Sequence, residues 1–304
     1  MLGRVASLHY THGLTHQKIA DLLGLSRVQV TRLLARALKE GVVEIRVHSD
    51  ESIFPDLQIA LQSTFGLEQA WVSPGFDDHE KNMESLGAVA AQCLMSLLKP
   101  DDVVAVGLSA TLEHMIPHLP RTKIGATFVP ALGSRPGGAV SINPHEIASD
   151  LAERLGGSTR HLPAPFVMAS EESATMMRNE PDVASTLELA RQASMGLYGL
   201  GGTQAGSGPL IEAIAPSGEL EKLTNKGAVG DISGIYFDRQ GGYVPSSIEK
   251  RIIGLSLEEI LAIPRRVIVA GGLKKLDAIA AASQSGIVTH LVTDQRTAEA
   301  LLLR

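Results

Sequence analysis

From Leu67 to the C-terminus, short apolar runs alternate with stretches at helical spacing, and this alternation constrains the fold more than any other feature. LEQAWVSPG, DDVVAVG, GATFVPALG, RRVIVAGG and THLVTD read as strands with their exits. MESLGAVAAQCLMSLL, ATLEHMIPHL, NPHEIASDLAERLGG, LKKLDAIAAASQSG and QRTAEALLLR read as the helices between them. Strand-then-helix order throughout predicts an α/β chain built on a parallel sheet covered on both faces, because a parallel neighbour needs a crossover connection. Aromatic residues make up only 4%, which suits helices packed on a sheet better than a β-sandwich.

In such folds ligands gather at the carboxyl ends of strands, where loops and helix starts offer free N–H groups. Three stretches have that character. Gly107-Leu108-Ser109-Ala110-Thr111 runs from a strand through small and hydroxyl-bearing residues into a helix, a phosphate cradle without the lysine of the P-loop pattern. Ala270-Gly271-Gly272-Leu273-Lys274-Lys275 repeats that order with cations. Gly230-Asp231-Ile232-Ser233-Gly234 offers a carboxylate that can accept hydrogen bonds from sugar hydroxyls. For each one, a glycine that merely turns the chain is an equal alternative. Together they favour a phosphorylated sugar or polyol.

The first 50 residues have a different pattern. Ile19, Ala20, Leu22 and Leu23 fall on one face of a short helix that Thr15 or His16 can start and Gly24 ends. Ser26 is a good N-cap for a second helix whose buried face is read as Val28, Val30, Leu33 and Leu34. A small residue at the crossing, a turn glycine and apolar plugs at these positions form a helix-turn-helix signature, with an ordinary helical hairpin as the alternative.

Ser26, Arg27, Gln29, Thr31 and Arg32 project away from that core. Arg27 and Gln29 are the candidates for base readout, since Arg and Gln can make paired hydrogen bonds to guanine and adenine. Gln17, Lys18, Thr31, Arg32 and Arg36 are the candidates for phosphate contacts. VVEIRVH, from Val42 to His48, alternates like a β wing. A first helix is read over Arg4 to Tyr10, so near Met1 that a true start further upstream is an alternative. Asp50 to Pro55 forms the joint to a helical run from Asp56 to Phe65.

Charge follows the same division. Seven Lys and Arg against four Asp and Glu give residues 1–50 a net +3, which leaves −9 for the remainder of a chain whose formal total is −6. A basic tip on an acidic body can approach phosphates. One reading head buries little surface, so a homodimer or homotetramer reading two half-sites of double-stranded operator DNA is expected. Cys93 is the only cysteine, which excludes an intrachain disulfide or a thiolate metal cluster and favours the cytoplasm. No apolar run approaches the length that spans a bilayer, and no membrane partner is expected.

Other signals are weaker. His114 and His118 have metal-ligand spacing, but Pro117 interrupts and no third ligand is evident, so no metal and no cofactor are expected. Cys93, among Ala90, Leu94 and Leu97, reads as a buried structural thiol. An active sugar-phosphate isomerase or deaminase with an attached head is the alternative function. It requires a paired acid and base, and beyond Asp231 or Asp238 no second partner is evident, so no catalytic residue is assigned.

Taken in order, QKIADLLGLSRVQVTRLLARALKEGVVEIRV, NPHEIASDLAERLGG with LPAPFV, GAVGDISGIYFD with Gly241-Gly242, KRIIGLSLEEILAIPRRVIVAGGLKKLDAI and THLVTDQRTAEALL resemble the SorC family of bacterial sugar-responsive transcription regulators over nearly the whole chain. The resemblance implies a winged helix-turn-helix DNA-binding domain over 1–50. It also implies a Rossmann-like effector-binding and oligomerisation domain over 51–304, related in fold to glucosamine-phosphate deaminases and ribose-phosphate isomerases. By position it implies that Ser109, Ala110 and Thr111 form the phosphate-binding turn after Gly107, and that Lys275, in the G-G-x-x-K pattern of Gly271 and Gly272, is the phosphate-binding lysine. Asp231 matches the acidic position that meets effector hydroxyls, while Ser207 in GSGPL and Asn143 match further pocket positions. The chain departs from the family pattern at Leu108-Ser109 and at GSGPL, where many members have paired serines.

Overall fold

The computed structural model describes residues 1–43, 53–134, 143–204 and 218–304. The chain divides into two compact units, Met1–Glu51 and Ser52–Arg304.

In the first unit, α1 (Leu2–Ala6) continues as a π-helical turn over Ser7–Thr11, and α2 (His16–Leu23) and α3 (Arg27–Lys39) follow. Thr15 caps α2, its hydroxyl accepting the Lys18 N–H at 3.3 Å. Gly24 ends the helix at φ 66°, a left-handed conformation that costs glycine little. Ser26 then opens α3 with a reciprocal capping box: its hydroxyl accepts the Gln29 N–H at 3.2 Å, and Gln29 Oε1 accepts the Ser26 N–H at 2.8 Å. Val5, Ile19, Ala20, Val30 and Leu34 form the core, with Leu8, Leu14, Leu23, Leu25 and Leu33 packed against it.

Two residues expected in that core are outside it: Leu22 and Val28 are each 61% exposed. At about 100° per residue, Leu22 lies beyond the edge of the Ile19–Ala20–Leu23 stripe, and Val28 is on the opposite side of α3 from Val30. Apolar type outweighed angle in the expectation. Beyond Val43 the expected wing, like the first half of the expected joint, lies outside the described residues.

The second unit begins with α4 (Pro55–Phe65), β1 (Gln69–Ser73), α5 (His79–Leu97), β2 (Val103–Val106), α6 (Ala110–Met115) and β3 (Thr127–Pro130). Next come α7 (Pro144–Leu155), β4 (Ser158–Thr159), α8 (Glu171–Asn179), α9 (Pro181–Arg191), β5 (Met195–Tyr198) and β6 (Gly201–Gly202). The described chain continues through α10 (Glu219–Asn225), β7 (Ala228–Ile232), β8 (Ile235–Asp238) and β9 (Tyr243–Val244). It closes with α11 (Leu257–Ala262), β10 (Arg265–Val269), α12 (Leu276–Gln284), β11 (His290–Asp294) and α13 (Gln295–Leu302).

Among the described residues, seven strands form a parallel sheet in the order β1-β11-β10-β5-β2-β3-β4. From β2 the chain moves outward on one side to β3 and β4, and β5 then restarts it on the other side toward β10. The crevice between the carboxyl ends of β2 and β5 is therefore the topological switch point, where open α/β sheets bind ligands. The parallel order does not run throughout, however. β6-β7-β8-β9 form a separate antiparallel sheet. Ser233 (φ 53°) and Gly234 (φ 85°) are the two central residues of the β7–β8 turn. Positive φ at both matches the turn twist that a two-residue hairpin needs, so Gly230–Gly234 is a hairpin and not a strand-to-helix junction.

A polar clamp ties the amino ends of the three central strands. Arg265 Nη2 donates to Asp102 Oδ1 at 2.7 Å, Arg265 Nε to the Ser194 carbonyl at 3.1 Å, and Ser194 Oγ to Asp102 Oδ1 at 2.6 Å. These residues stand at or just before the starts of β10, β2 and β5. Burial alone would raise the Asp102 carboxyl, but the Ser194 hydroxyl, the Lys99 N–H and Arg265 together hold it below the ordinary carboxylate range. Among the described residues, no helix is long and apolar enough to cross a membrane.

Candidate functional site

The switch-point crevice brings the sequence-selected stretches together. Ser109, the residue before α6, makes no side-chain hydrogen bond to its own helix and packs on β5's exit: a Cβ on Gly199 would stand 2.3 Å from Ser109 Oγ. The β7–β8 turn reaches the exit of β2, where a Cβ on Gly107 would meet Tyr198 Cδ1 at 2.4 Å and Ser233 Oγ at 3.1 Å. Glycine at 107 and 199 is thus required by close approach. Ser109 and Thr111 are buried and Ala110 is half-buried at the start of α6.

Asp231 is the most perturbed acid in the crevice. It pairs with Gly201 across the β6–β7 ladder, and Tyr236 faces it across β7–β8. Oδ2 accepts the Gly234 N–H at 3.0 Å, while Oδ1 is buried with no hydrogen-bond partner. Burial pushes its pKa up to about 6, opposed by the Gly234 N–H and by the field of Lys275. Lys275 is depressed by burial and partly restored by Asp231. No ion pair closes between the two among the described residues.

The glycine pair before Lys275 works differently from the expectation. The Gly272 N–H is already taken by Asp294 Oδ2 and Thr297 Oγ1, both at 2.8 Å, and a Cβ on Gly271 would stand 2.3 Å from Asp294 Oδ2. Asp294 also caps α13 through the Thr297 N–H at 3.0 Å. Gly271 and Gly272 therefore let the loop press against a buried carboxylate, and Lys275 stands at the start of α12. Asn143 is likewise occupied, its Oδ1 accepting the His145 N–H at 3.0 Å as the cap of α7. Ser207 lies outside the described residues.

The sequence reading did not single out Gly199, Gly201 or Tyr236, and named Ser233 only within the Gly230–Gly234 stretch. The Ser233 and Tyr236 hydroxyls are buried without partners, and burial together with Asp231 and Glu219 pushes the Tyr236 phenol up. The signal was present in MGLYGLGG, a short apolar run with glycines at its exit, which was not read as a strand. Cys93 is fully buried and its thiol is pushed up by burial, matching the structural reading. Among the described residues, no group of three or more His, Cys, Asp and Glu is placed to hold a metal.

In the head, the eight candidate residues divide by whether their side chains are already engaged. Gln17 Nε2 donates to Asp21 at 2.9 Å, Arg36 pairs with Glu40 at 2.6 Å, and Ser26 and Gln29 cap α3. The Thr31 hydroxyl donates to the Arg27 carbonyl at 3.1 Å, and His16 Nδ1 lies 3.1 Å from the Thr31 hydroxyl oxygen, which links α2 to α3. Lys18, Arg27 and Arg32 are exposed cations with no side-chain partner among the described residues.

Comparison with known proteins assigns the class. A family described as "Putative sugar-binding domain" matches residues 54–303, and one described as "Bacterial regulatory proteins, crp family" matches residues 13–43. The chain belongs to the SorC-type family of bacterial transcriptional regulators, in which a DNA-binding head precedes this sugar-binding domain. It is 34% identical to the transcriptional regulator LsrR of Escherichia coli K12 over 99% of this chain and 94% of that protein. It is 30% identical to the erythritol catabolism regulatory protein EryD of Brucella abortus over 98% of this chain and 95% of that protein. The fold matches the full-length sorbitol operon regulator SorC of Klebsiella pneumoniae with a TM-score of 0.82 at 23% identity, covering 99% of this chain and 97% of that one. The named relatives are regulators, and this chain is a DNA-binding transcriptional regulator rather than an isomerase or deaminase.

Proposed function

We propose that the protein controls a carbohydrate or polyol catabolic operon and that a phosphorylated sugar or polyol bound at the switch point sets its affinity for operator DNA. The supporting observation is the buried, unpaired Asp231 Oδ1, which shares the crevice's field with Lys275 while no ion pair joins them. A phosphate on Lys275 and the Ser109–Thr111 turn, with a hydroxyl on Asp231, satisfies both charges in one ligand. The ligand is an effector, and the reading calls for no cofactor.

Coupling follows from linkage: the ligand changes DNA affinity only by binding one arrangement of a homodimer or homotetramer better than another. Phosphate contacts fall to Lys18 and Arg32, with Arg27 at base edges. A panel of sugar and polyol phosphates, screened by thermal shift and then titrated into a gel-shift assay, tests the reading. One or more should raise the melting temperature and change operator binding, and Lys275→Ala should lose both responses while binding operator as before. Catalytic turnover of a panel compound, or full effector sensitivity in the Lys275→Ala protein, overturns it.

A further inference from the structure

We propose that Val28 reads the 5-methyl group of a thymine in the operator, an assignment that rests on the DNA-binding reading of the head. The buried side of α3 is Val30, Leu34 and Ala37. At about 100° per residue the directly opposite line is Val28, Arg32, Ala35 and Lys39. Gln29 and Thr31 lie to either side of that line, one closing the capping box and the other bonded to the Arg27 carbonyl. The outermost residue of the first turn is therefore an aliphatic side chain, 61% exposed, where the sequence pattern placed a core residue.

The surroundings identify its partner. Val28 has the unpaired Arg27 beside it and the unpaired Arg32 one turn on, a cationic frame that suits the phosphates flanking a groove. Valine has no donor for a phosphate and none for a base edge, so its contribution must come from apolar contact. The major-groove edge of B-DNA offers one apolar group, the thymine methyl, and it marks A·T pairs by orientation. A β-branched side chain in a helix holds one dominant χ1 rotamer, so its methyls are presented with little further loss of freedom. Ala35, one further turn along the same line, is small enough to let the helix approach the groove floor.

The test uses the full chain and a duplex selected by it from a random pool. Each thymine of the selected duplex is replaced singly by deoxyuridine, which removes only the methyl. One position per half-site should then weaken wild-type binding about fourfold, the value of one buried methyl. Val28→Ala should weaken binding to the selected duplex by a similar factor, leave binding to random duplex unchanged, and abolish the deoxyuridine effect at that position. A selected duplex with no methyl-sensitive thymine overturns the assignment, as does a deoxyuridine penalty that persists undiminished in Val28→Ala. Failure to select any duplex overturns the DNA-binding reading along with it.

Discussion

Gly201 lies opposite Asp231 in the β6–β7 ladder, and a methyl group added to Gly201 would stand 2.0 Å from Asp231 Oδ1. The glycine creates the space that holds the acid side chain over the crevice. Gly201→Ala should therefore move the carboxylate and cost about 1–3 kcal/mol of overpacking strain. Effector-induced thermal shift should be lost, while urea denaturation still shows a cooperative transition. A normal effector response in this variant would mean that Asp231 does not need its present position.

The Asp231 carboxyl itself should act against stability at neutral pH. Its folded pKa of about 6 exceeds the model-peptide value of 3.8, so between these pH values the folded chain retains a proton that the unfolded chain has lost. Stability contributed by this group is present below about pH 4 and is lost as pH rises to about 6. Asp231→Asn should raise unfolding free energy at pH 7 by up to about 3 kcal/mol, with the gain shrinking toward pH 4. It should also remove the effector response. Urea titrations at pH 4.5 and 7 check the sign, and a variant less stable at pH 7 would refute it.

Gln29 serves its own helix first. Gln29→Ala should break the capping box at a cost of about 1 kcal/mol, seen as faster amide exchange at Ser26. Gln29→Glu retains the accepting oxygen and should leave that exchange slow. The added negative charge should nevertheless weaken operator binding, measured by gel shift at low salt. Equal exchange rates in all three proteins would show that the box does not hold in solution.

At the other end of the sheet, Arg265→Met leaves Asp102 buried without its cation. Removing one partner of a buried pair costs about 3–5 kcal/mol. Because the folded Asp102 carboxyl is held low, its stabilising contribution is present at neutral pH and declines as acid protonates it. The wild-type and Arg265→Met stabilities should thus converge as pH falls, and a constant gap across the acid range would separate the arginine's role from that charge.

The parts legible in the sequence were those with a strong local period. Each strand and helix read from Leu67 onward has a counterpart, and Thr15, Gly24 and Ser26 perform the capping and turning their residue types imply. β5 was missed because Gly196 interrupts its apolar run, although it occupies the centre of the sheet. The Ser233–Gly234 hairpin was read as a strand exit because its turn chemistry was weighed less than its glycines. Of the positions expected to meet an effector, Asp231 keeps one oxygen, Oδ1, without a partner, whereas Gly272 and Asn143 are held by hydrogen bonds within the chain. Hydrogen-bond occupancy depends on residues such as Asp294, 22 positions away from Gly272, and no local pattern encodes it.

The Arg265–Asp102–Ser194 clamp and the ligand crevice occupy opposite ends of the same strands. That separation frees the crevice for revision. Substitutions in the loops at the carboxyl ends therefore leave untouched the hydrogen bonds that join the amino ends of β10, β2 and β5.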